Sequence, residues 1–440
     1  MGKCQSTLGS VDEAMSLQIG ILGLGFVGLT TALGFAEKGF KVKGCDIDKN
    51  KLEKISKGEL PFLEPGLDMA LIRNLGKTFF PVQSAAEAAK ESALIFFCVG
   101  TPCGENGKAD LSYLFSALDS ILPILSDGKY RVLVIKSTVP PGTAQDDVFP
   151  YLQEKKIASI CSLANNPEFL REGKCWEDFI QPDRIVCGTN DERAVELLQK
   201  LYQPFNAPVH IVTLNTAEFI KYLSNTMLAS MISYSNEMSI IADCIGNIDT
   251  GKAFKILHED KRLKGSGIAS YIFPGCGYGG YCLPKDTQAM AAKAKQYGIV
   301  PRILSEVISV NEKMPAFFIE KIKSVAAGDK TIGILGLSFK PDSDDVRDSA
   351  AAKIITLLLK EGFTKINAYD PVANESFESL YRFQNVKYVS SKNDLCEMSE
   401  VIVLVTAWNE FKSMRHEFPN KEWIDCRYFL VEEDAQGAGQ

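Results

Sequence analysis

A glycine pattern near the start of the chain constrains its fold more than any other feature. An apolar run at residues 17–22 leads into the turn Gly23-Leu24-Gly25-Phe26-Val27-Gly28, and a helix-like stretch follows as far as Gly39. A second apolar run, Lys41 to Cys45, ends at Asp46. Strand, tight turn, helix, strand and acid in this order are typical of a dinucleotide-binding βαβ unit, so the sequence predicts an α/β fold built on a parallel sheet.

Each glycine of this turn has its own predicted role. We expect Gly23 to allow the tight turn, Gly25 to let a pyrophosphate approach the backbone, and Gly28 to let the helix pack on its strand. The phosphates would then face the helix N-terminus. Asp46 is expected to accept hydrogen bonds from two ribose hydroxyls and to repel a 2′-phosphate, which favours NAD over NADP. The alternative is a scaffold of this type that binds no dinucleotide.

Two further apolar runs end in polar turns. Residues 94–99 lead into Gly100-Thr101-Pro102, and residues 132–135 lead into Lys136-Ser137-Thr138-Val139-Pro140. Because a parallel sheet meets its ligands at the carboxyl ends of its strands, Thr101, Ser137 and Thr138 are candidate contacts of the cofactor or of a water molecule. Each hydroxyl has an alternative role as an ordinary turn or cap residue.

From about Asn215 to Gly246 the sequence changes to sustained helical periodicity, with Asn215 or Thr216 as the expected N-cap. The length of this segment predicts a central helix. Lys221 and Asn225 are four residues apart and therefore share one face of it. Such a pair is either solvated or, next to a dehydrogenase cleft, able to polarise a substrate oxygen.

The C-terminal part of the sequence repeats the plan of the first βαβ unit. The run Thr331–Leu335 leads into a turn at Gly336, a helix is predicted at residues 350–360, and the next strand reaches Asp370. Further strands are predicted at residues 401–405 and 428–431. The sequence therefore predicts an α/β fold with two Rossmann-like parallel-sheet domains joined by a long central helix.

The composition excludes several classes of protein. With 440 residues, a net charge of −7 and interspersed signs, the chain lacks the concentrated basic face of a nucleic-acid-binding protein. Because no apolar run approaches the about 20 residues of a membrane span, and the first residues lack a signal-peptide core, we expect a cytoplasmic protein. Twelve cysteines without a Cys-x-x-Cys pair, with only three histidines, argue against a disulfide framework and a metal site.

The first residues, Met1-Gly2-Lys3-Cys4-Gln5-Ser6, match the pattern for N-myristoylation, with Cys4 placed for a second acyl chain. The dinucleotide-binding unit begins only after residue 15. We therefore expect residues 1–16 to be a flexible tail without a membrane anchor.

A glycine-rich loop presents one cysteine beside charged residues. The loop Gly277-Tyr278-Gly279-Gly280-Tyr281 precedes Cys282, and Lys285 and Asp286 follow it. A plain alcohol dehydrogenase needs no nucleophilic thiol, so a cysteine that works with a nicotinamide cofactor indicates a thiohemiacetal that is oxidised to a thioester. Otherwise Cys282 is a buried, small apolar residue, as free cysteines usually are.

Seven motifs occur in one order along the chain. They are the Gly23–Gly28 turn, Gly100-Thr101-Pro102, Ser137-Thr138-Val139-Pro140, Asn166-Pro167-Glu168-Phe169-Leu170-Arg171-Glu172, Lys221 with Asn225, the Cys282 loop, and Phe339-Lys340 with Arg347. Together they resemble the UDP-glucose/GDP-mannose dehydrogenase family over residues 17 to about 430. The resemblance implies an NAD-binding domain at 17–212, a central helical dimerisation domain at 213–325 and a nucleotide-sugar-binding domain at 326–440.

The resemblance also implies a two-step oxidation of a sugar C6 alcohol to a carboxylate with two NAD per substrate. Cys282 would capture the aldehyde and become the thioester. Lys221 would act near the C6 oxygen as a base or electrostatic stabiliser, with Asn225 helping to hold the developing oxyanion. Asp286 would transfer protons or orient a water molecule. Glu168 with Thr138 would serve thioester hydrolysis.

The binding residues that the resemblance implies fall into two sets, and a homodimer or higher homo-oligomer is expected to form through the central helix. The expected NAD contacts are Gly23, Gly25, Phe26, Val27, Gly28, Asp46, Lys51, Thr101, Ser137, Thr138, Glu172, Lys285 and Arg347. The expected nucleotide-sugar contacts are Glu168, Phe169, Leu170, Arg171, Lys221, Asn225, Tyr271, Gly279, Phe339, Lys340 and Arg427.

The identity of the sugar stays open at this point. Ser266 stands where members acting on UDP-glucose often carry an arginine, and Phe273-Pro274-Gly275 is closer to the GDP-mannose enzymes. The sequence of the Cys282 loop is instead typical of the UDP-glucose branch, and we expect UDP-glucose as the substrate. The alternatives are another nucleotide hexose, a single-oxidation β-hydroxyacid dehydrogenase, and a silent nucleotide-sugar sensor with structural NAD.

Overall fold

A computed structural model describes residues 17–326 and 329–430. The expected tail and acylation pattern at residues 1–16 lie outside the described residues, as does the end of the chain after residue 430. The chain divides into two compact units, Met1–Leu223 and Ser224–Gln440. This boundary falls inside the long helix Leu214–Ile245, and the division into four segments stays a prediction.

The strands alternate with helices along most of the chain, as an α/β fold requires. The strands are β1 Gln18–Leu22, β2 Lys41–Cys45, β3 Phe79–Pro81, β4 Leu94–Phe97, β5 Arg131–Ile135, β6 Cys161–Asn165, β7 Ile185–Gly188, β8 Val209–Val212, β9 Ile332–Leu335, β10 Ile366–Tyr369, β11 Val386–Tyr388, β12 Val401–Leu404 and β13 Glu422–Asp425. The helices of the first unit are α1 Phe26–Glu37, α2 Lys49–Ser56, α3 Leu67–Asn74, α4 Ala85–Ala89, α5 Ser112–Leu125, α6 Phe149–Glu154, α7 Cys175–Ile180 and α8 Glu192–Tyr202. The remaining helices are α9 Leu214–Ile245, α10 Thr250–Leu257, α11 Cys282–Gln296, α12 Arg302–Val325, α13 Ala350–Lys360, α14 Asn374–Tyr381, α15 Lys392–Met398 and α16 Met414–Glu417.

The first unit is built on an eight-stranded sheet in the order β3-β2-β1-β4-β5-β6-β7-β8. Every residue of β4 and β5 is buried, because helices cover both faces of a parallel sheet. One pairing, β6 with β7 at Asn165 and Gly188, is antiparallel. The sequence predicted β1, β2, β4 and β5 but missed β3, β6, β7 and β8.

The second unit contains a five-stranded parallel sheet in the order β11-β10-β9-β12-β13. Together with the first sheet and α9, it confirms the predicted fold class. The last strand was predicted at residues 428–431, and this is wrong for the described residues 428–430, since β13 ends at Asp425. The Asp425 carboxylate accepts the N–H groups of Arg427, Phe429 and Leu430, and these bonds turn the chain out of the sheet.

The central helix α9 begins one residue earlier than predicted. Thr213, rather than Asn215 or Thr216, lies at the cap position, where its Oγ1 accepts the N–H of Thr216 at 3.3 Å. Within the helix, Glu218 is buried and accepts the N–H groups of Gly142 and Ala144 at 2.6 and 2.8 Å. None of the helices in residues 17–326 and 329–430 is long and apolar enough to cross a membrane.

Candidate active site

The predicted dinucleotide turn has the geometry that its glycines indicate. Gly23 has a φ of +94° and donates its N–H to the carbonyl of Cys45 at 2.9 Å. A Cβ atom on Gly28 would lie 1.8 Å from the Gly23 carbonyl oxygen. A Cβ atom on Gly25 would meet no heavy atom of the described residues within 4 Å, so this face of the turn is open. Phe26 and Val27 lie in the first turn of α1, whose N-cap is Gly25, so the helix N-terminus begins at that open face.

Asp46 closes the same turn from the end of β2. Its Oδ2 accepts the Leu24 N–H at 2.7 Å and the Lys51 ammonium at 3.0 Å, and its Oδ1 accepts the Asp48 N–H at 2.9 Å. A carboxylate has about four acceptor positions, so Asp46 retains capacity for a ribose hydroxyl. The open glycine face, the helix N-terminus and this carboxylate fit an NAD molecule without a 2′-phosphate.

Two of the three hydroxyl candidates after β4 and β5 donate to backbone carbonyl groups. Thr101 Oγ1 donates to the Thr138 carbonyl at 2.8 Å, and Ser137 Oγ lies 2.6 Å from the Val99 carbonyl oxygen. Thr101 and Ser137 are buried, whereas Thr138 is half-buried. These bonds join the two turns at the carboxyl edge of the sheet, and the contacts of all three hydroxyls with a cofactor stay a prediction.

A buried ion pair joins α9 to the turn after β6. Lys221 Nζ lies 2.9 Å from Glu168 Oε1, and the two side chains are 6% and 8% exposed. Glu168 Oε2 accepts the N–H of Leu170 at 2.6 Å. Burial by itself would raise the pKa of Glu168, but the Lys221 ammonium and the Leu170 N–H outweigh it and lower that pKa. Glu168 is therefore ionised in this site and able to accept a proton.

Some of the residues that follow Glu168 lie beside its ion pair with Lys221, and others lie at the protein surface. The Phe169 ring centroid lies 5.7 Å from Lys221 Nζ and 4.2 Å from the Arg184 guanidinium. Arg171 is exposed and forms a bidentate ion pair with Asp178 at 2.6 and 3.0 Å. Glu172 is half-buried in the turn before α7. Arg171 is thus held by its own loop, while Phe169 and Leu170 lie at the ion pair.

In the second unit, Cys282 is the first residue of α11 and is exposed. A thiol at a helix N-terminus is more easily ionised and more reactive than a buried thiol. Most other cysteines in residues 17–326 and 329–430 are buried, including Cys276 six residues earlier. Burial raises the pKa of the thiols of Cys45 and Cys396 to about 12. The fold therefore leaves the Cys282 thiol exposed at a helix N-terminus and buries most of the other cysteines in the described residues.

The loop before Cys282 is held from two sides. Asn311 on α12 accepts the Tyr278 N–H at 2.7 Å and donates to the Tyr278 carbonyl at 3.1 Å. Gly280, with a φ of +76°, donates its N–H to the Arg347 carbonyl at 3.1 Å. A Cβ atom on Gly280 would lie 2.9 Å from the Phe339 ring, so the loop needs glycine at this position.

One helical turn after Cys282, a buried carboxylate joins α11 to α9. Asp286 is 1% exposed and accepts the Asn225 Nδ2 at 2.6 Å through Oδ2. Its Oδ1 lies 2.5 Å from Lys285 Nζ, which is also buried. This pairing confines Lys285 to the second unit's own network, where its ammonium also lies 5.6 Å from the Tyr281 ring centroid. Its predicted contact with NAD is untested.

The candidate substrate residues after β9 pack against the Cys282 loop. Phe339 lies on Gly280, and the Lys340 ammonium lies 5.4 Å from the Phe339 ring centroid. Arg347 forms a bidentate ion pair with Asp345 at 2.6 and 2.8 Å, and its guanidinium lies 4.6 Å from the Tyr281 ring centroid. Within the second unit, Phe339 and Arg347 thus pack against the loop that precedes the expected nucleophile.

Three other candidates are placed around this assembly. Gly279 lies so close to the 345–349 loop that a Cβ atom would be 2.4 Å from the Asp348 carbonyl oxygen. Arg427 donates through Nε to the Val405 carbonyl at 2.6 Å, and its guanidinium lies against Gly275. Tyr271 ends a 3₁₀ turn that begins at Gly267.

Asp370, the acid that follows β10 in the second Rossmann-like lobe, accepts hydrogen bonds from its own chain. Asp370 Oδ2 accepts the N–H groups of Leu337 and Ser338 and the indole N–H of Trp408, at 2.8, 3.0 and 3.1 Å. Asp370 is 2% exposed. The topology of the first lobe is repeated, but Asp370 accepts six hydrogen bonds from its own chain, whereas Asp46, whose side chain is 7% exposed, accepts three.

The sequence analysis did not single out three buried residues that form hydrogen bonds to the candidate site segments: Lys136, Tyr202 and Asn311. Lys136 is 4% exposed and donates to Asn166 Oδ1 at 2.9 Å, and the Tyr202 hydroxyl donates to the same oxygen. The position of Lys136 directly after a buried strand was a usable signal. Asn311 carried no such signal, since only the fold brings it from α12 to the Cys282 loop.

Comparisons with known proteins cover nearly the whole chain. Three family models match: the UDP-glucose/GDP-mannose dehydrogenase family NAD binding domain at residues 17–206, its central domain at 215–313 and its UDP binding domain at 333–432. UDP-glucose 6-dehydrogenase of Rickettsia bellii is 37% identical over 90% of this chain and 91% of its own. UDP-glucose 6-dehydrogenase TuaD of Bacillus subtilis is 35% identical over 96% of this chain and 91% of its own. The structure of a UDP-glucose dehydrogenase from Pyrobaculum islandicum superimposes with a TM-score of 0.88 at 36% identity, covering 94% of each chain.

Proposed function

This chain belongs to the UDP-glucose/GDP-mannose dehydrogenase family, and we propose that it oxidises UDP-glucose to UDP-glucuronate through a covalent intermediate on Cys282. It is an NAD-dependent nucleotide-sugar 6-dehydrogenase. In the proposed reaction one sugar alcohol, two NAD⁺ and one water give one carboxylate, two NADH and three protons. The observation that carries the covalent route is the exposed thiol of Cys282 at the start of α11.

The first unit supplies the cofactor site. NAD, when bound, accepts a hydride from the substrate carbon in each of the two oxidations. The open face of Gly25, the first turn of α1 and the Asp46 carboxylate would hold its pyrophosphate and adenosine ribose. Lys51 adds a positive charge beside Asp46 and orients that carboxylate.

Cys282 is the proposed nucleophile. Its sulfur adds to the aldehyde carbon, the aldehyde oxygen takes a proton, and a thiohemiacetal results. Loss of a hydride from this carbon and of the hydroxyl proton gives the thioester. Water then adds to the thioester carbon, the carbon–sulfur bond breaks, and the thiol and the carboxylate are released. A thiol suits this sequence because it forms and breaks an acyl bond more readily than a hydroxyl.

The buried charged residues have proposed roles in proton transfer. Lys221 would act at the C6 oxygen and Asn225 at the oxyanion, and α9 carries both residues four positions apart. Glu168 would take a proton from the hydrolytic water, since its carboxylate is held ionised by Lys221. Asp286 would orient Asn225 and exchange protons near Cys282.

Binding of the uridine diphosphate sugar is assigned to the second unit. Phe339 and Lys340 combine an aromatic face with an ammonium, which suits a base or sugar ring and a diphosphate. The family's UDP binding domain matches residues 333–432, which include both. Arg427, beside Gly275, is the proposed further contact of the nucleotide sugar.

A homodimer through the central helix is also part of the proposal. Exposed large apolar side chains recur along one helix, which is unusual for a surface left in water. They are Phe219, Leu223, Met227, Tyr234, Ile241 and Ile245 of α9. Analytical ultracentrifugation of the purified protein tests this assignment, and a monomer at micromolar concentration would contradict it.

The decisive experiment counts NADH per sugar across a panel of UDP- and GDP-hexoses. We expect two equivalents with UDP-glucose, because two hydrides leave the same carbon. One equivalent, with Cys282→Ser fully active, would instead show a single-oxidation dehydrogenase. Two equivalents with GDP-mannose or another nucleotide hexose and none with UDP-glucose would retain the mechanism and reassign the sugar.

A further inference from the structure

A buried lysine in the first unit has no role in the mechanism proposed above. Lys136 directly follows β5 and is 4% exposed. Its Nζ donates to Asn166 Oδ1 at 2.9 Å and lies 3.4 Å from the Asn166 carbonyl oxygen. Both oxygens are neutral, so these bonds hold the ammonium without cancelling its charge.

Asn166 is fixed by three different elements and in turn fixes Lys136. Its backbone N–H donates to the Ile135 carbonyl of β5 at 2.8 Å, and its Nδ2 donates to the Val186 carbonyl of β7 at 2.8 Å. The Tyr202 hydroxyl of α8 donates to its Oδ1. Because Glu168 is only two residues further along the chain, the same bonds determine where the Glu168 turn begins.

Titratable groups on several elements of the first unit interact with Lys136 or Glu168. The titratable neighbours are Cys98 after β4, Cys175 on α7, Cys187 on β7, Tyr202 on α8 and Lys221 on α9. Burial raises the pKa of Cys98 and of Cys187 to about 12, and it raises the pKa of the Cys175 and Tyr202 groups as well. These four groups are therefore neutral near pH 7. Burial lowers the pKa of Lys136, and the charge of Glu168 opposes this shift. Burial raises the pKa of Glu168, and the ammonium groups of Lys221 and Lys136 lower it.

We propose that Lys136 is a positioning residue for Glu168: its ammonium, held by Asn166, is a second cation that keeps the Glu168 carboxylate ionised inside the protein. The Phe179 ring, with its centroid 5.8 Å from Lys136 Nζ, supports the charged form of the lysine. In the proposed reaction the Lys221 ammonium interacts with the C6 oxygen as well as with Glu168 during turnover. The Lys136 ammonium has no proposed contact with the substrate, so it acts on Glu168 throughout.

The inference rests on the proposed function in one respect, the role of Glu168 as a base, and its test is therefore made in two parts. The first part needs no turnover. The full-length protein, labelled with δ-¹³C glutamate, is titrated by infrared difference spectroscopy, and Glu168→Gln identifies the Glu168 band. We expect the Glu168 carboxyl to titrate at a higher pH in Lys136→Met than in the wild type, because a nearby positive charge has been removed.

The second part is the pH profile of kcat. In Lys136→Met we expect the loss of kcat relative to the wild type to be larger at acidic pH than at pH 9, with the acidic limb of the profile moved to higher pH, since protonated Glu168 cannot accept the proton. Lys136→Arg should restore the wild-type profile. Asn166→Asp, which places a carboxylate against Lys136, should move the acidic limb in the same direction as Lys136→Met and serves if the latter does not fold.

Tyr202→Phe is the matched control. It removes one hydrogen bond to Asn166 without changing any charge, so it should leave the position of the acidic limb unchanged. An equal loss of kcat at every pH in Lys136→Met, with an unmoved Glu168 band, would show a structural role and overturn the inference. If the wild type yields one NADH per sugar, the proposed function fails, but the infrared titration still decides whether Lys136 controls Glu168.

Discussion

Lys221 Nζ lies 2.9 Å from Glu168 Oε1, and both side chains are more than nine-tenths buried. Two charges removed from water in this way depend on each other, because neither is solvated if its partner is lost. The pair also joins the central helix α9 to the turn that follows β6. Its position makes it a structural link within the first unit.

Loss of one partner of this pair should destabilise the first unit strongly. For Lys221→Met we expect the free energy of unfolding to fall by about 3–5 kcal/mol, because a buried carboxylate is left unpaired. The double variant Lys221→Met/Glu168→Gln should recover most of this loss, since it removes both charges. Urea titrations of the wild type, both single variants and the double variant measure the coupling. Simple addition of the two single losses would contradict the prediction.

The same pair predicts how stability depends on pH. The pKa of Glu168 in the folded protein lies below its ordinary value, so its contribution is present above the unfolded-state pKa and lost as the pH falls through the folded-state pKa. We therefore expect the stability difference between the wild type and Glu168→Gln to be largest at neutral pH and to shrink in acid. Unfolding midpoints at a series of pH values test this expectation. A difference that grows on acidification would show that Glu168 is not held ionised.

Substitution of Cys282 should separate the two oxidations. Cys282 is exposed, so Cys282→Ala should unfold at nearly the wild-type temperature and bind NAD as the wild type does. It should fail to release the uronic acid, because no thioester can form. Glu168→Gln should instead accumulate the thioester, and intact-mass spectrometry after mixing with substrate and NAD would detect the adduct on Cys282. Cys244→Ala, at another exposed cysteine, is the control and should retain full activity.

Gly25 and Gly28 should respond differently to alanine. A Cβ atom at Gly28 would lie 1.8 Å from a backbone oxygen, whereas one at Gly25 meets open space in the described residues. We expect Gly28→Ala to lower the free energy of unfolding by about 1–3 kcal/mol or more, as substitutions that overpack a site do. Gly25→Ala should leave the thermal midpoint nearly unchanged but weaken NAD binding. Calorimetric melting and NAD titration on both variants distinguish these outcomes, and equal behaviour would contradict the assignment of the open face to the pyrophosphate.

The two lobes provide a matched pair of acids for testing cofactor choice. Asp46→Ser should raise the KM for NAD and lower the preference for NAD over NADP, because it removes the carboxylate that is expected to bind ribose and to repel a 2′-phosphate. Asp370→Ser should leave the preference unchanged but destabilise the second unit, since Asp370 accepts several N–H groups of its own chain. Steady-state kinetics with both cofactors, together with thermal melting, separate the two effects.

The sequence predictions were accurate where an element depends on neighbouring residues and inaccurate where it depends on contacts made only in the folded chain. β2 was predicted at its observed bounds, Lys41–Cys45, because an apolar run between Gly39 and Asp46 is a local signal. The last strand was displaced to residues 428–431, because the hydrogen bonds that end β13 at Asp425 depend on a folded loop. The cap of α9 was misplaced by two or three residues for a similar reason. Ser, Thr and Asn compete for such positions, and only the backbone path selects Thr213.

The sequence by itself determined the fold class, the NAD turn and the candidate nucleophile, because each is encoded in residues that are neighbours along the chain. Glycine spacing, strand periodicity and the motif order need no tertiary information. Only the tertiary structure decided which charges are paired, since Glu168 meets Lys221 and Asn225 meets Asp286 across 53 and 61 residues of sequence. It also decided that Asp370 accepts more hydrogen bonds from its own chain than Asp46 does, and that Lys136 is buried and bonded to Asn166. Burial and pairing control whether an acid is ionised, and both are properties of distant segments brought together by folding.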